Sequence, residues 1–251
     1  MHADVTIANV IILITTCKKN KQKQELLRAA FKNSGLKYYF LLGGSDHTFL
    51  DGDTLNINVL DTYEMLHLKV VEGLLFFKKY KKNILKIDDD SFVDIKRIKE
   101  YNFNFDYGGF FHKSGRGAFI YHAEKVTDKR YSSSIESNLI YEFCNGGGYF
   151  LSLKAQQIFN KNYKNSEEYS NHLRFLKGRE DRLIGQTLYP FYKKLVVKND
   201  GYSLARHDED FSFSVFNDSI IHPVNENEFK IMLKNKFPKY SFLKPTINNT
   251  N

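Results

Sequence analysis

Cysteine, methionine, proline and tryptophan are scarce in this sequence, whose 251 residues include two cysteines, three methionines, four prolines and no tryptophan. Cys17 and Cys144 cannot supply a disulfide framework or the cysteine pairs of a zinc site. So few thiols suit a reducing compartment, although one disulfide between the two stays open. The apolar run Val10–Ile14 is too short to cross a membrane, and no signal peptide is recognisable. We therefore expect a soluble, cytoplasmic protein.

The bulk composition favours a folded protein with an anionic partner. Hydrophobic residues make up 42% and aromatic residues 15% of the chain, which is enough to build a substantial core. The net charge of +8 and the pI of about 9.2 favour nucleic acid, an anionic membrane surface or phosphorylated small molecules. The lysines are spread along the chain and no nucleic-acid-binding motif is visible, so we do not expect nucleic acid as the partner. Many of these lysines can equally be solvated surface.

The first half of the chain alternates between apolar runs and amphipathic segments. The β-branched run Val5–Thr15 predicts a central parallel strand, Gln22–Lys32 a helix, and Leu36–Leu42 a second strand. Asp61–Tyr80 predicts the longest helix, and the apolar run Ile84–Ile87 predicts another buried strand. This order of strands and helices is typical of the parallel sheet of a nucleotide-binding fold.

The second half of the chain is less regular than the first. The remaining patterns predict strands at Thr54–Leu60, Phe105–Phe111, Ala118–Tyr121, Phe143–Ser152 and Lys193–Val197, helices at Leu153–Phe159, Glu180–Tyr189 and Glu226–Lys236, and a polar loop at Lys161–Asn171. No linker or repeat separates the halves. We therefore predict a single domain over residues 1–240 with two lobes, 1–110 and 111–240, followed by a tail at 241–251.

An acidic triplet, Asp88–Asp90, ends the predicted strand Ile84–Ile87 abruptly. Like charges a few ångströms apart resist full ionisation, and a hard divalent cation such as Mg²⁺ or Mn²⁺ removes that penalty and can also hold phosphates. In open α/β sheets, ligands bind beyond the carboxyl ends of the strands. The triplet therefore predicts a site for a cation and phosphates. The alternative is a solvated acidic turn that caps a helix starting near Ser91.

Four segments in a fixed order carry a resemblance to a known family. They are LLRAAF followed by FLLGG, then LDTYEMLHLKVVEGL, then LKIDDDSFVD, and finally EFCNGGGYFLS followed by GREDRLIG. Over most of Thr15–Gly185 they resemble the β-1,3-galactosyltransferase and Fringe-like family, glycosyltransferase family 31. The resemblance implies an α/β fold of the GT-A type, with a central, mostly parallel sheet flanked by helices. It also implies Mn²⁺ (or Mg²⁺) and transfer of a sugar from a UDP-sugar, with inversion, to a glycan or glycoprotein acceptor. Residues 1–110 would form the nucleotide-sugar-binding lobe and 111–240 the acceptor-side lobe.

The family's motifs assign roles residue by residue. Asp88 and Asp90 fall on the outer carboxylates of the DxD motif. Asp90 is implied as a metal ligand, and Asp88 is implied both as a metal ligand and, with Asp89, as a residue facing the ribose and the donor. Asp181 is implied as the catalytic base, with a pKa that we expect the adjacent carboxylate to raise. His222, ahead of His207, is implied as a further metal ligand. The remaining donor-site assignments are Thr15, Arg28, Asp61, Lys86, Asp89, Gly146, Gly147, Gly148 and Glu180.

Each assignment has an ordinary structural alternative. Asp181 could be a charge at the N-terminus of a helix, and Gly146–Gly148 only a tight turn. His222 could be a buried structural histidine. Arg28 and Asp61 could form an ion pair between two helices.

Three departures from the family and two rival functions bear on the interpretation. The family's tryptophans are absent, and Arg182 stands where the family usually has a small apolar residue, which puts acceptor specificity in question. The missing membrane anchor suggests a microbial or viral member, active in the host cytoplasm if viral. A nucleotide-sugar hydrolase would use the same metal site with water as acceptor. A non-catalytic glycan- or nucleotide-binding module would keep a decayed transferase fold, but the intact Asp90 and Asp181 argue against decay.

Overall fold

The computed structural model of the chain describes residues 7–93, 95–114, 140–175, 179–199, 201–203, 211–215 and 220–223. The predicted strand Ala118–Tyr121, the predicted helix Glu226–Lys236, His207 and the predicted tail lie outside these residues. In the described part of the chain, no helix is both long and apolar enough to cross a membrane.

The structure is of the α/β class. The strands are β1 Val10–Thr15, β2 Lys37–Leu42, β3 Phe49–Asp51, β4 Thr54–Asn56, β5 Asn83–Asp88, β6 Phe92–Val93, β7 Tyr107–Lys113, β8 Glu142–Leu151, β9 Val197–Asn199, β10 Gly201–Ser203, β11 Phe211–Val215 and β12 Ile220–Pro223. The α-helices are α1 Lys21–Phe31, α2 Leu66–Phe77, α3 Ile95–Glu100, α4 Leu153–Asn162, α5 Glu167–Phe175 and α6 Glu180–Leu188. Short 3₁₀ helices cover Ile7–Asn9, Lys18–Asn20, Tyr63–Met65, Lys78–Tyr80, Tyr163–Asn165 and Tyr189–Lys194.

One sheet of eight strands forms the centre, in the order β3-β4-β2-β1-β5-β8-β7-β9. Strands β4, β2, β1 and β5 run parallel to one another, while β8 pairs antiparallel with both β5 and β7. The sheet is therefore mixed, with the parallel strands on the amino-terminal side. A second sheet of four strands has the order β10-β11-β12-β6.

The core lies on both faces of the large sheet, as the continuous apolar sequence of β1 requires. Ile11 and Leu13 point into one cluster, which packs against α2, α4 and α6. Ile12 and Ile14 point into the other cluster, together with Leu27 of α1. Because strand side chains alternate between faces, burial on both faces makes all six residues of β1 inaccessible.

Two local predictions are wrong. Lys161–Asn171 was expected to be a polar loop, but it contains the ends of α4 and α5 with a 3₁₀ turn between them. The inner face of α5 carries Glu168, which pairs with a buried arginine rather than packing as an aliphatic residue, so hydrophobic spacing does not reveal the helix. The predicted strand Lys193–Val197 begins as the 3₁₀ helix Tyr189–Lys194, and strand β9 starts only at Val197.

Candidate active site

The acidic triplet lies at the carboxyl end of β5, next to the end of β1. The parallel register places Thr15, the last residue of β1, opposite Asp88, the last residue of β5. The Thr15 hydroxyl donates a hydrogen bond to Oδ1 of Asp88 at 2.5 Å. The predicted position of the triplet beyond the end of a central parallel strand is therefore correct.

The three carboxylates of the triplet have different environments. Asp89 is buried, and its Oδ2 accepts hydrogen bonds from Thr16 at 2.6 Å and from Asn20 at 2.8 Å. Burial raises the pKa of Asp89. The side chains of Asp88 and Asp90 stay 27% and 24% exposed. Asp89 thus ties the start of α1 to the turn, while Asp88 and Asp90 are the two that reach solvent.

Lys86 joins the acidic turn to two distant segments. Its side chain is fully buried, and its ammonium nitrogen donates to Oδ1 of Asp88 at 2.6 Å, to the carbonyl of Gly146 at 2.6 Å and to Oε1 of Glu180 at 2.5 Å. Burial by itself would lower the pKa of Lys86, but the two carboxylates more than offset it and raise that pKa, so the side chain is a cation.

The acidic pair Glu180 and Asp181 opens α6 and lies against the glycine segment. A Cβ atom added to Gly146 would come within 3.1 Å of Glu180 Oε1 and 3.6 Å of Asp181 Oδ2. Helix α6 approaches β8 this closely because Gly185 has no side chain. The structure therefore brings the two motifs together.

Burial raises the pKa of both carboxyl groups in the pair. For Glu180, the Lys86 ammonium opposes this effect. For Asp181 the expected cause was its neighbour's charge, but the structure shows burial as the largest cause. The neighbouring groups with the largest effect on the pKa of Asp181 all lower it, and they are Arg182, Lys86 and His112. Asp181 Oδ1 also accepts a hydrogen bond from the backbone N–H of Arg182 at 2.7 Å.

The three glycines lie inside strand β8 rather than in a turn before it. On one side Gly148 pairs with Ile87 of β5. On the other side Gly109 of β7 pairs with Tyr149 and Phe111 pairs with Cys144, so the stretch 145–148 bulges opposite one residue of β7. This bulge directs the Gly146 carbonyl to Lys86 and the Gly147 carbonyl to the Ser91 hydroxyl, at 2.6 Å each.

Arg28 and Asp61 do not pair with each other, so the ion pair considered between them is wrong. Arg28 makes a two-pronged contact with Asp53, at 2.8 and 2.9 Å, away from the acidic turn. Asp61 accepts from the backbone N–H of Lys18 and from Lys69 Nζ, both at 2.7 Å. Since Lys69 also donates to the Thr16 carbonyl, Asp61 lies beside the loop that follows β1, at the same edge of the sheet as the triplet.

His222 lies in β12, where its backbone follows Ile221. Ile221 pairs with Phe92, two positions beyond the triplet, so the main chain of His222 passes near the acidic turn. The metal-binding role of the His222 imidazole stays a prediction.

Sequence reasoning missed Lys23, His112 and Asn145. Lys23 Nζ lies 3.5 Å from Asp90 Oδ2 and 3.7 Å from Asp89 Oδ1, which places a cation beside the triplet. Asn145 accepts from the Gly147 N–H at 2.7 Å, so its amide nitrogen is the group that donates to His112 Nε2 at 3.2 Å. No pattern in the sequence distinguishes these residues from the chain's other lysines, histidines and asparagines.

The side chain of Arg182, which departs from the family's pattern, contacts α5 and the residue that precedes β8. Its side chain is buried, donates to the Tyr141 hydroxyl at 3.0 Å and lies 3.4 Å from Glu168. The arginine therefore joins α6 to α5 and to the start of β8. A small apolar residue at this position would leave Glu168 buried without that partner charge.

The residues at the acidic turn fit a divalent cation that a substrate helps to hold. Among the described residues, no three histidine, cysteine or acidic side chains are grouped as a complete metal site. Oδ1 of Asp88 is occupied by Thr15 and Lys86, whereas no hydrogen bond from a described residue reaches its Oδ2. Mg²⁺ and similar hard ions are often bound by one or two carboxylates, with substrate phosphates completing the shell. Asp88 and Asp90 match that donor set.

Comparison with known proteins gives the class and then the family. The family model described as Galactosyltransferase matches residues 17–189, which is more than half of the chain. No curated protein matches the sequence. The match assigns the protein to the glycosyltransferases. Within that class, the chain belongs to the galactosyltransferase family, as the four segments predict, and the predicted α/β fold class is confirmed.

Three solved structures are similar to this chain. A glycosyltransferase involved in the glycosylation of the major capsid of PBCV-1 is 15% identical over 64% of this chain and 68% of that chain, with a TM-score of 0.33. The galactosyltransferase LgtC in complex with donor and acceptor sugar analogs is 12% identical over 71% and 70%, with a TM-score of 0.39. An active-site mutant of LgtC is 11% identical over 86% and 88%, with a TM-score of 0.43.

Proposed function

We propose that this protein is a metal-dependent, inverting glycosyltransferase that moves a sugar from a UDP-sugar to a hydroxyl group of a glycan or glycoprotein acceptor. The main support for the proposal is that the acidic turn and the acidic pair both bind the ammonium group of Lys86. Lys86 Nζ lies 2.6 Å from Asp88 and 2.5 Å from Glu180. The acidic turn, which is suited to the donor, and the acidic pair, which contains the proposed base Asp181, therefore lie at one edge of the sheet.

On the donor side, Asp88 and Asp90 would hold Mn²⁺ or Mg²⁺, which when bound neutralises the charge that develops on a departing diphosphate. Lys23, 3.5 Å from Asp90, adds a protein cation at the same place. Thr15, the last residue of β1, and Asp61, which binds the backbone N–H of Lys18, lie at the same edge of the sheet as the triplet.

On the acceptor side, Asp181 is the proposed general base. Glu180 is 4% exposed and bound to Lys86, so it is not free to receive a proton from an acceptor. Asp181 is only partly buried, and its raised pKa makes it a better proton acceptor than an ordinary aspartate. Direct attack by the acceptor hydroxyl needs one such base, needs no enzymic nucleophile, and inverts the anomeric carbon.

A screen of UDP-sugars by thermal shift, with and without Mn²⁺, tests the donor half of the proposal. A ligand present at a hundred times its Kd stabilises the fold by about 2.7 kcal/mol, which a melting experiment detects readily. We expect stabilisation by at least one UDP-sugar that requires the metal. Stabilisation without metal would favour a binding module instead.

Asp181→Asn tests the acceptor half, because it keeps the shape of the side chain and removes the basic oxygen. We expect turnover to fall by ~10²-fold or more, with the affinity for the UDP-sugar unchanged. Glu180→Gln is the matched variant, and its loss of turnover should be smaller. Turnover near wild type in Asp181→Asn would place the base elsewhere. Release of free sugar at equal rates with and without acceptors would identify a hydrolase.

A further inference from the structure

The three N–H donors of the Lys86 ammonium group are matched by three acceptors from three separate parts of the chain. They are Oδ1 of Asp88 in the acidic turn, the carbonyl of Gly146 in the bulge of β8, and Oε1 of Glu180 at the start of α6, at 2.6, 2.6 and 2.5 Å. A lysine ammonium has three donors and no acceptor, so this group is saturated. Its side chain is 0% exposed. Lys86 therefore cannot contact a substrate in this structure, and any influence on the reaction passes through its partners.

The contact with Asp88 sets the orientation of that carboxylate. Oδ1 accepts from both Lys86, at 2.6 Å, and Thr15, at 2.5 Å. Two short hydrogen bonds to the same oxygen fix the side chain's rotamer and turn Oδ1 toward the protein. Oδ2 then projects to the other side, where the Asp88 side chain is 27% exposed. The pair of donors thus presents one defined oxygen of Asp88 outward.

The contact between Lys86 and Glu180 holds one member of the acidic pair away from solvent. Oε1 of Glu180 is held at 2.5 Å from the ammonium, and its side chain is 5% exposed. Glu180 is thereby withdrawn from solvent, whereas its neighbour Asp181 keeps some exposure. The Gly146 carbonyl, bound to the same nitrogen, holds the bulge of β8 between the two carboxylates.

We propose that Lys86 is a positioning residue that aligns the two halves of the active site. It turns Asp88 Oδ2 toward the donor side and locks Glu180, which leaves Asp181 to face the acceptor. The inference rests on the proposed function, because Asp88 matters only if a donor with its cation binds there. The competing explanation is that Lys86 only neutralises a buried Glu180 and stabilises the fold.

Removing the charge of both partners separates the two explanations. Lys86→Met alone leaves Glu180 buried without its cation and is expected to destabilise the protein severely. The double variant Lys86→Met with Glu180→Gln removes both charges and should restore most of the melting temperature. Glu180→Gln alone keeps an oxygen acceptor for Lys86 and so keeps the Lys86–Asp88 contact. Lys154→Met is the control for the loss of a lysine–aspartate pair, because Lys154 lies 3.3 Å from Asp106. That pair is far from the triplet: Asp106 binds Ser152, which follows the end of β8 that lies beside the start of β5.

Isothermal titration of UDP together with Mn²⁺ is the readout, measured beside the melting temperature of each protein. For wild type and Lys154→Met, we expect affinities within about threefold of one another, and Glu180→Gln measures how much of any loss comes from Glu180 alone. For the double variant we expect affinity at least ~10-fold weaker despite its recovered melting temperature, because Asp88 has lost its orienting partner. Equal affinity in the double variant and wild type would overturn the inference while leaving the proposed function intact. If wild type itself fails to bind UDP with Mn²⁺, both are overturned.

A second variant keeps the test decisive if the double variant does not fold. Thr15→Val removes the other donor to Oδ1 of Asp88 and preserves the shape of the side chain. We expect a melting temperature close to wild type and affinity for UDP with Mn²⁺ that is several-fold weaker. Unchanged affinity in Thr15→Val would show that Asp88 does not need both hydrogen bonds to Oδ1, which is the step through which Lys86 is proposed to act, and the inference would fail.

Discussion

Gly185 controls how closely α6 approaches β8, so Gly185→Ala should displace the acidic pair. A Cβ atom at this position would lie 2.1 Å from Cβ and 2.7 Å from Cα of Phe143, and 3.1 Å from the carbonyl oxygen of Glu142. Ordinary carbon contacts begin near 3.5 Å, so relief requires a shift of roughly 1.4 Å. The clashing atoms belong to the backbone or are attached to it directly, and they cannot rotate away. The helix must therefore move as a whole.

The free energy of unfolding should fall even though alanine is the better helix former. Replacing glycine by alanine inside a helix favours folding by about 1 kcal/mol. Overpacking against a fixed backbone costs about 1–3 kcal/mol or more, and a contact of 2.1 Å belongs at the upper end. We expect a net loss of about 2 kcal/mol, measured by urea denaturation. A displacement of about 1 Å at the acidic pair, which contains the proposed base, is also expected to cut turnover by ~10²-fold.

Gly73 in α2 provides the matched control. A Cβ atom there would meet the two methyl carbons of Leu41 at 2.8 and 2.9 Å. These are the ends of a flexible side chain, which can rotate, so Gly73→Ala should change stability by less than about 1 kcal/mol in either direction. The reasoning about α6 is refuted if Gly185→Ala is as stable as Gly73→Ala and turns over at the same rate.

Two further predictions concern a carboxylate and a buried histidine. Asp90→Ala should abolish Mn²⁺-dependent binding of UDP without lowering the melting temperature of the metal-free protein, and calorimetry that shows unchanged affinity would contradict this role. Burial lowers the pKa of His67 to about 4, so the folded state excludes the proton that the unfolded chain binds below its ordinary pKa. Stability should therefore fall as the pH drops from about 6.5 toward 4, by about 2 kcal/mol already at pH 5. His67→Gln should show a correspondingly flatter dependence of the free energy of unfolding on pH, and an identical slope would exclude His67 as the cause.

The parallel part of the fold and the position of the acidic turn could be predicted because their signals are local. β1 is buried on both faces, so its sequence is apolar without interruption. A run of aspartates directly after such a strand has to emerge at the carboxyl edge of the sheet. The observed pairing of Thr15 with Asp88 follows from the same two strands.

Elements whose buried faces are polar could not be predicted in this way. Helix α5 packs through Glu168, which receives a hydrogen bond from Tyr141 and faces the charge of Arg182. Glu168 and Arg182, judged alone, belong on a surface, and only their contact with each other and with the Tyr141 hydroxyl makes burial tolerable. The sequence therefore indicates a loop where the structure has a helix.

Lys86 is the clearest example of a buried polar residue whose partners could not all be predicted from the sequence. A lysine inside an otherwise apolar strand indicates that a carboxylate must be buried beside it, because an unpaired ammonium is too costly there. Strand alternation even assigns its face, since Lys86 shares a side of β5 with Ile84, toward α2 and α6. One partner, Asp88, is two residues away on that same face and could be anticipated. The other, Glu180, is one of the chain's 29 acidic residues and lies 94 positions further on, so a single sequence gives no reason to choose it. The contact between donor side and acceptor side is thus a product of the tertiary fold, set by the bulge of β8 and the close approach of α6.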